Sequence, residues 1–239
     1  MFVAVDAIFR AILLLRLEEK IKARGDYRKR EHKIGKGKKH FAITLLGASS
    51  IYGEGSDVEI PFIGSLVEQL TQQGYQVSVH NLAVSGHRVA DVSRQQIQRM
   101  KPSDLVVLYA GTKDCLTLTS ARQYLADLRG LTEALRGQTV VWVTIGDPRL
   151  LWLFPIWLRW LFYYKAKTFT VLLKRVLAKC STEQWRVVDF FAEGITESKL
   201  RNLTSRQVVA DGIHLSDKGQ ALVGEMVSDA AQSLLRSVD

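Results

Sequence analysis

At 239 residues the chain is long enough for one large domain, and 47% hydrophobic residues exclude a disordered one. The net charge is +9, but residues 1–40 hold twelve lysines and arginines against five acids, which is +7 of it, so the remainder is almost neutral. The two cysteines, Cys115 and Cys180, have no CxxC spacing and form neither a disulfide framework nor a zinc site, which suits a reducing, cytoplasmic compartment.

Taken from its start, the chain opens with a basic, amphipathic arm over residues 1–40. MFVAVDAIFRAILLLRL is apolar but interrupted by Asp6 and Arg10, and it has no basic leader or small-residue cleavage site. It falls short of the ~20 residues that span a bilayer. Followed by RKREHKIGKGKKH, it is expected to lie on an anionic membrane surface; a helix docked on the domain with a solvated charge run is the alternative. No aromatic platform or recognition motif accompanies the basic tract, so nucleic acid is not expected as a partner.

From residue 41 short apolar runs alternate with amphipathic stretches. The pattern predicts strands over 41–47, 75–83, 104–111, 139–146 and 185–191, with helices over 57–74, 88–100, 120–137 and 215–237. Such alternation predicts a domain over 41–239 with a parallel five-stranded sheet covered on both faces, a three-layer α/β/α sandwich. In such sheets ligands sit at the carboxyl ends of the strands.

One segment departs from the alternation. Residues 149–179 carry three of the five tryptophans, seven lysines and arginines and no acid. A stretch apolar nearly all round, rich in Trp and Tyr beside cations, predicts contact with a membrane interface. A helix packed on the sheet, or a dimer interface, would use the same aromatics.

Four short blocks fall where strands are expected to end: Gly47-Ala48-Ser49-Ser50-Ile51-Tyr52-Gly53, Asn81-Leu82-Ala83-Val84-Ser85-Gly86, Tyr109-Ala110-Gly111-Thr112-Lys113-Asp114, and Ala210-Asp211-Gly212-Ile213-His214. A serine hydroxyl needs an adjacent base, usually an imidazole oriented by a carboxylate. Asp211 and His214, three apart on a glycine-containing loop, can form that pair, and Ser49 at the end of the first strand can be its neighbour. The N–H groups of Ser49 and Gly86 could form an oxyanion hole.

In order and spacing the blocks resemble those of the SGNH hydrolases, the GDSL-type esterases and lipases. LLGASSIYG is similar to the family's GDSxxxG at Gly47, Ser49 and Gly53; Gly86 matches the second block, Gly-Thr-Lys-Asp the third, and Asp211 with His214 the last. The resemblance implies a flavodoxin-like fold, Ser49 as nucleophile, His214 as base then acid, and Asp211 as its orienting group. It implies hydrolysis of an ester or thioester through an acyl-enzyme, with no metal or other cofactor. Ala48 replaces an aspartate outside the triad. Lys113 stands where the family has its oxyanion asparagine, so it either substitutes for that donor, leaves two backbone donors, or marks reduced activity.

With two interfacial segments, the substrate is expected to be a lipid or other small acyl ester, and the enzyme a peripheral membrane lipase or lysophospholipase. Deacetylation of a carbohydrate, and a degenerate fold kept for binding, are the alternatives. His80 and His87 have no ligand cluster around them. His87 is expected at the surface, or else lining the substrate site. Cys115 is expected to be a small buried thiol, and Asp104 and Asp189 to satisfy backbone donors.

Overall fold

The computed structural model describes residues 30–117, 119–180 and 183–236. Among them are six strands: β1 (Glu31–Ile34), β2 (Lys39–Gly47), β3 (Tyr75–Asn81), β4 (Leu105–Tyr109), β5 (Val140–Val143) and β6 (Trp185–Val188). They form one sheet in the order β1-β3-β2-β4-β5-β6. β2 to β6 run parallel, and β1 is added antiparallel to β3 at the edge.

The central strands are apolar throughout because both faces are covered. Every residue of β4 is buried, and its side chains alternate between two cores. Leu105, Val107 and Tyr109 join the core under helices Gly64–Gln72, Phe190–Leu200 and Asp217–Leu235. Val106 and Leu108 join the core under helices Ala121–Ala134 and Ile156–Cys180. This is the three-layer architecture the alternation predicts, with one strand more. The chain winds outward from β2 in both directions, so the crevice of the fold opens where β2 and β4 end.

The sixth strand comes from the tract read as part of a basic arm. In Glu31-His32-Lys33-Ile34, His32 turns inward and is buried while the charged neighbours face out, the alternation of an edge strand blunted by charge. Lys101 pairs with Glu31 at 3.1 Å from the neighbouring loop. The sheet thus takes up part of the 1–40 arm; residues 1–29 lie outside the described residues.

Element ends moved for local reasons. The helix expected from residue 57 begins at Gly64: Pro61 disfavours helical backbone before it, and Phe62 sits at φ +65°. The helix expected over 88–100 is one α-turn, Val89–Asp91, then a π-turn, Val92–Gln96, then a 3-10 turn, Ile97–Arg99. β6 stops at Val188 because Asp189 caps a helix, its carboxylate accepting from Ala192 N–H at 3.3 Å. Asp104 likewise accepts from Ala42 N–H at 2.7 Å, so both aspartates satisfy backbone donors as expected.

The aromatic segment becomes a 3-10 turn at Pro148–Leu150 and then the 25-residue helix Ile156–Cys180. Phe162, Ala166, Phe169 and Leu173 pack it into the core on its side of the sheet, where Phe169 stacks on Tyr124 of helix Ala121–Ala134 at 3.8 Å between ring centroids. Its first turns leave Ile156, Trp157, Trp160, Leu161 and Tyr164 exposed on one face. Among the described residues no helix is long and apolar enough to cross a membrane.

Candidate active site

β2 ends at Gly47, with φ +144°, and a Cβ there would meet the Tyr109 carbonyl oxygen of β4 at 2.0 Å. Only glycine lets the two strand ends close so tightly. The next residues turn at once into the short helix Ser49–Tyr52, closed by Gly53 N–H donating to Ser49 O at 3.0 Å. Ser49 is its first residue, a place where a backbone N–H has no acceptor within the helix.

Asp211 and His214 lie on the loop between the bridged residues Val209 and Leu215. The ring Nδ1 of His214 is 2.8 Å from Asp211 Oδ2. Asp211 Oδ1 accepts the backbone N–H of Ile213 at 3.0 Å and of His214 at 2.8 Å. Burial pushes the Asp211 carboxyl up, but the His214 ring and the two N–H groups outweigh it and hold it below its ordinary value. An ionised carboxylate only accepts, so Nδ1 carries the proton and Nε2 is left as a base.

Several contacts hold the Ser49 turn to this loop. Gln220, in the helix that follows His214, donates Nε2–H to Ser50 O at 2.8 Å. Asp217, at its start, accepts from Ser56 Oγ at 2.6 Å and from Asp57 N–H at 2.8 Å. Gly55, at φ +80°, passes so close that a Cβ would meet His214 Cβ at 2.6 Å.

The other blocks close around the same strand ends. Val84, Ser85, Gly86 and His87 form a turn with His87 N–H donating to Val84 O at 3.2 Å, and Gly86 takes φ +82° at its third position. A Cβ on Gly86 would face open space, so the backbone angle, not crowding, calls for glycine. Asn81 donates to Ile51 O at 3.1 Å and accepts from Ala83 N–H at 3.1 Å, tying this block to the Ser49 helix. Lys113 lies half-buried in helix Thr112–Leu116, which starts at Gly111 with φ +110°. Beside it Asp114 is fully buried and accepts from Val89 N–H at 3.0 Å, joining the third block to the turn after Gly86. Burial pushes its carboxyl above the ordinary value.

The aromatic segment borders the site. Leu153 N–H donates to Gly212 O at 3.3 Å, Trp152 Nε1 donates to Val209 O at 3.0 Å, and Arg159 holds the carbonyls of Trp152 and Phe154. Two positions escaped the sequence reading. Gln96, within the polar run RQQIQ, is fully buried against Gly47. Arg30, within the basic tract, donates to Asn81 O and Ala83 O at 3.3 and 3.0 Å. Neither run carries a signal that singles these residues out. Cys115 is buried as expected, its thiol pushed up to about 12 by burial; Cys180 is exposed.

A cavity of about 30 Å³ opens beside the turn, lined by Ser50, Tyr109, Thr112, Ile145, Leu150 and Ile213. The larger cavity, about 730 Å³, lies at the opposite, amino ends of the strands near Phe41 and Asp104 and contains none of these site residues.

The GDSL-like Lipase/Acylhydrolase family matches residues 45–222. No curated protein matches the chain in sequence. Among solved structures, the lipase/acylhydrolase from Enterococcus faecalis is 20% identical with a TM-score of 0.58, over 79% of this chain and 94% of that one. The psychrotrophic esterase EstA from Pseudoalteromonas sp., in a form inhibited by monoethylphosphonate, is 17% identical with a TM-score of 0.57, over 82% and 98%. The Clostridium thermocellum family 3 carbohydrate esterase is 16% identical with a TM-score of 0.59, over 84% and 99%.

Proposed function

The chain belongs to the GDSL-like lipase/acylhydrolase family and is a hydrolase, and on that premise we propose that it cleaves an acyl ester through an acyl-enzyme on Ser49. His214 Nε2 takes the Ser49 proton as the hydroxyl attacks the ester carbonyl, and Asp211 stabilises the imidazolium. The N–H groups of Ser49 and Gly86, with Lys113, receive the oxyanion. His214 then protonates the leaving alcohol and activates the water that releases the acid. The observation that carries this reading is the Asp211–His214 pair at 2.8 Å, on a loop pinned to the serine turn. Fluorophosphonate labelling tests it: a phosphonate already inhibits the Pseudoalteromonas esterase, and here the label should attach to the wild type and be lost in Ser49→Ala.

Lys113 stands where an amide donor is expected. Its ammonium can donate to the oxyanion but is more flexible and more strongly hydrated than an amide. Lys113→Met should lower kcat by roughly 10²-fold, the effect typical of one oxyanion donor, while KM changes little. An unchanged kcat would leave the hole to Ser49 and Gly86 alone.

The substrate reading is a lipid ester taken from a membrane surface, with the enzyme peripherally bound on the cytoplasmic side. It is supported by the exposed face of Ile156, Trp157, Trp160, Leu161 and Tyr164, on a segment without acids that touches the Asp211–His214 loop. Apolar burial of this kind strengthens binding by about 1.5–3 kcal/mol per fully buried side chain. Trp157→Ser with Trp160→Ser should therefore weaken sedimentation with anionic vesicles at least roughly tenfold. Vesicle binding equal to wild type would remove the membrane from the reading.

A second reading, deacetylation of a carbohydrate, is favoured by the 30 Å³ cavity, which has room for about one water-sized group. Longer chains would have to lie along the surface. A series of p-nitrophenyl esters separates the two: a rate that peaks at acetate favours the carbohydrate, one that rises with length favours the lipid.

A further inference from the structure

Gln96 does what a neighbouring peptide would do in a sheet. Its Oε1 accepts from Gly47 N–H at 2.9 Å and its Nε2 donates to Gly47 O at 2.8 Å. β3 has ended at Asn81, and beyond it Val84 N–H still donates to Gly47 O at 3.2 Å, so the Gln96 amide shares that carbonyl and supplies the acceptor for Gly47 N–H. The same carbonyl therefore anchors the start of the Val84–His87 turn that presents Gly86. The π-turn Val92–Gln96 carries Gln96 to that position.

The donor pattern determines the rest. Gly47 N–H can only donate, so the amide oxygen must face it, and the amide nitrogen must face Gly47 O. The second hydrogen of that nitrogen points at His87 Nδ1, 3.0 Å away. That ring atom must therefore accept, which places the His87 proton on Nε2. A doubly protonated ring would set two donors against each other, and Gln96 cannot turn over without opposing Gly47. The charged groups acting on His87 are Asp91 on its own turn and Arg30 ahead of β1. Burial, the largest influence, holds the ring below its ordinary 6.5 against the opposing pull of Asp91, and Arg30 adds to it to a lesser degree.

We propose that Gln96 is a positioning residue for acyl transfer, and that it grips Gly47 fully only while His87 offers an unprotonated Nδ1. Protonation of His87 loosens the Gly47 peptide two residues before Ser49, and with it the carbonyl that holds Val84 N–H at the start of the Gly86 turn, and the rate falls on the acid side independently of His214. The rate part rests on Ser49 as the nucleophile.

The test pairs two readouts in wild type, His87→Asn and Gln96→Leu. Asparagine keeps an acceptor near the Nδ1 position but does not titrate. The first readout is the Gly47 amide resonance, followed with pH, which requires no substrate. It should move with the midpoint of the His87 ring in wild type and stay flat in His87→Asn. The second is kcat/KM on p-nitrophenyl butyrate: its acid limb should approach a two-proton slope in wild type and a one-proton slope in His87→Asn. Gln96→Leu should lose about ten- to a hundredfold in kcat with KM little changed, a loss typical of small misplacement of reacting groups. A Gly47 resonance that ignores His87 titration, equal acid slopes, or full kcat in folded Gln96→Leu would each overturn the proposal. If wild type takes no fluorophosphonate label, the serine-hydrolase reading fails while the Gly47 titration still decides this one.

Discussion

Alanine at position 49 should abolish fluorophosphonate labelling and lower kcat by roughly 10⁵- to 10⁶-fold, the scale on which serine nucleophiles act with their base. His214→Ala should cost about as much, and the double variant little more, because in the proposed mechanism the hydroxyl and the imidazole act as one unit. That non-additivity separates the triad from a chain of independent contacts. Ser49→Ala removes one hydroxyl and should keep the fold and its stability, whereas His214→Ala also removes a buried ring from Asp211 and should lower the melting temperature. The turn is closed by backbone bonds from Gly53 and Glu54 to Ser49 O, and the loop by Ala210 N–H on His214 O. A melting temperature close to wild type in Ser49→Ala, with a lost label, would assign the whole loss to chemistry. A retained label in Ser49→Ala would move the nucleophile elsewhere and point first to Ser50, which lines the small cavity.

The layers of the fold were legible because burial on both faces writes itself into a sequence. LVVLY in β4 can only be a buried strand, and the glycine stops at 74 and 137 mark where helices let go. The blocks around Ser49, Gly86, Lys113 and His214 were legible for the same reason: strand ends are where apolar runs give way to glycine. What stayed hidden depends on partners far along the chain. EHKI reads as part of a charge run until β3 offers its edge, when His32 can turn inward. FF after β6 continues an apolar run, and only the Asp189 cap shows that it starts a helix. Gln96 is one of three glutamines within four residues, and its value comes from the π-turn that delivers it to Gly47. The helix Ile156–Cys180 combines two of the expectations, with one face packed on the sheet and another left exposed at its start.

Asp211→Asn should keep the loop and still lower kcat by roughly 10⁴-fold at neutral pH. Two fixed donors, the N–H groups of Ile213 and His214, converge on Oδ1, so the oxygen of an asparagine would stay there. Its NH₂ group would then occupy the place of Oδ2 and point at His214 Nδ1, now 2.8 Å from a carboxylate oxygen. The ring could accept that donor only by moving its own proton to Nε2, the atom that receives the Ser49 proton in the proposed mechanism. The variant would thus be folded and correctly placed, with its base in the wrong tautomer. Asp211→Ala should also lose stability, because it strands both N–H groups in a partly buried loop. The acid side gives a further check. The carboxyl of Asp211 is held below its ordinary 3.8, so its contribution to stability is full above that value and is lost as pH falls through the lower folded-state pKa. Wild type should therefore lose stability relative to Asp211→Asn on acidification below about pH 4. If Asp211→Asn instead hydrolysed esters at the wild-type rate, the carboxylate would be a loop clamp, and His214 would find its orientation elsewhere.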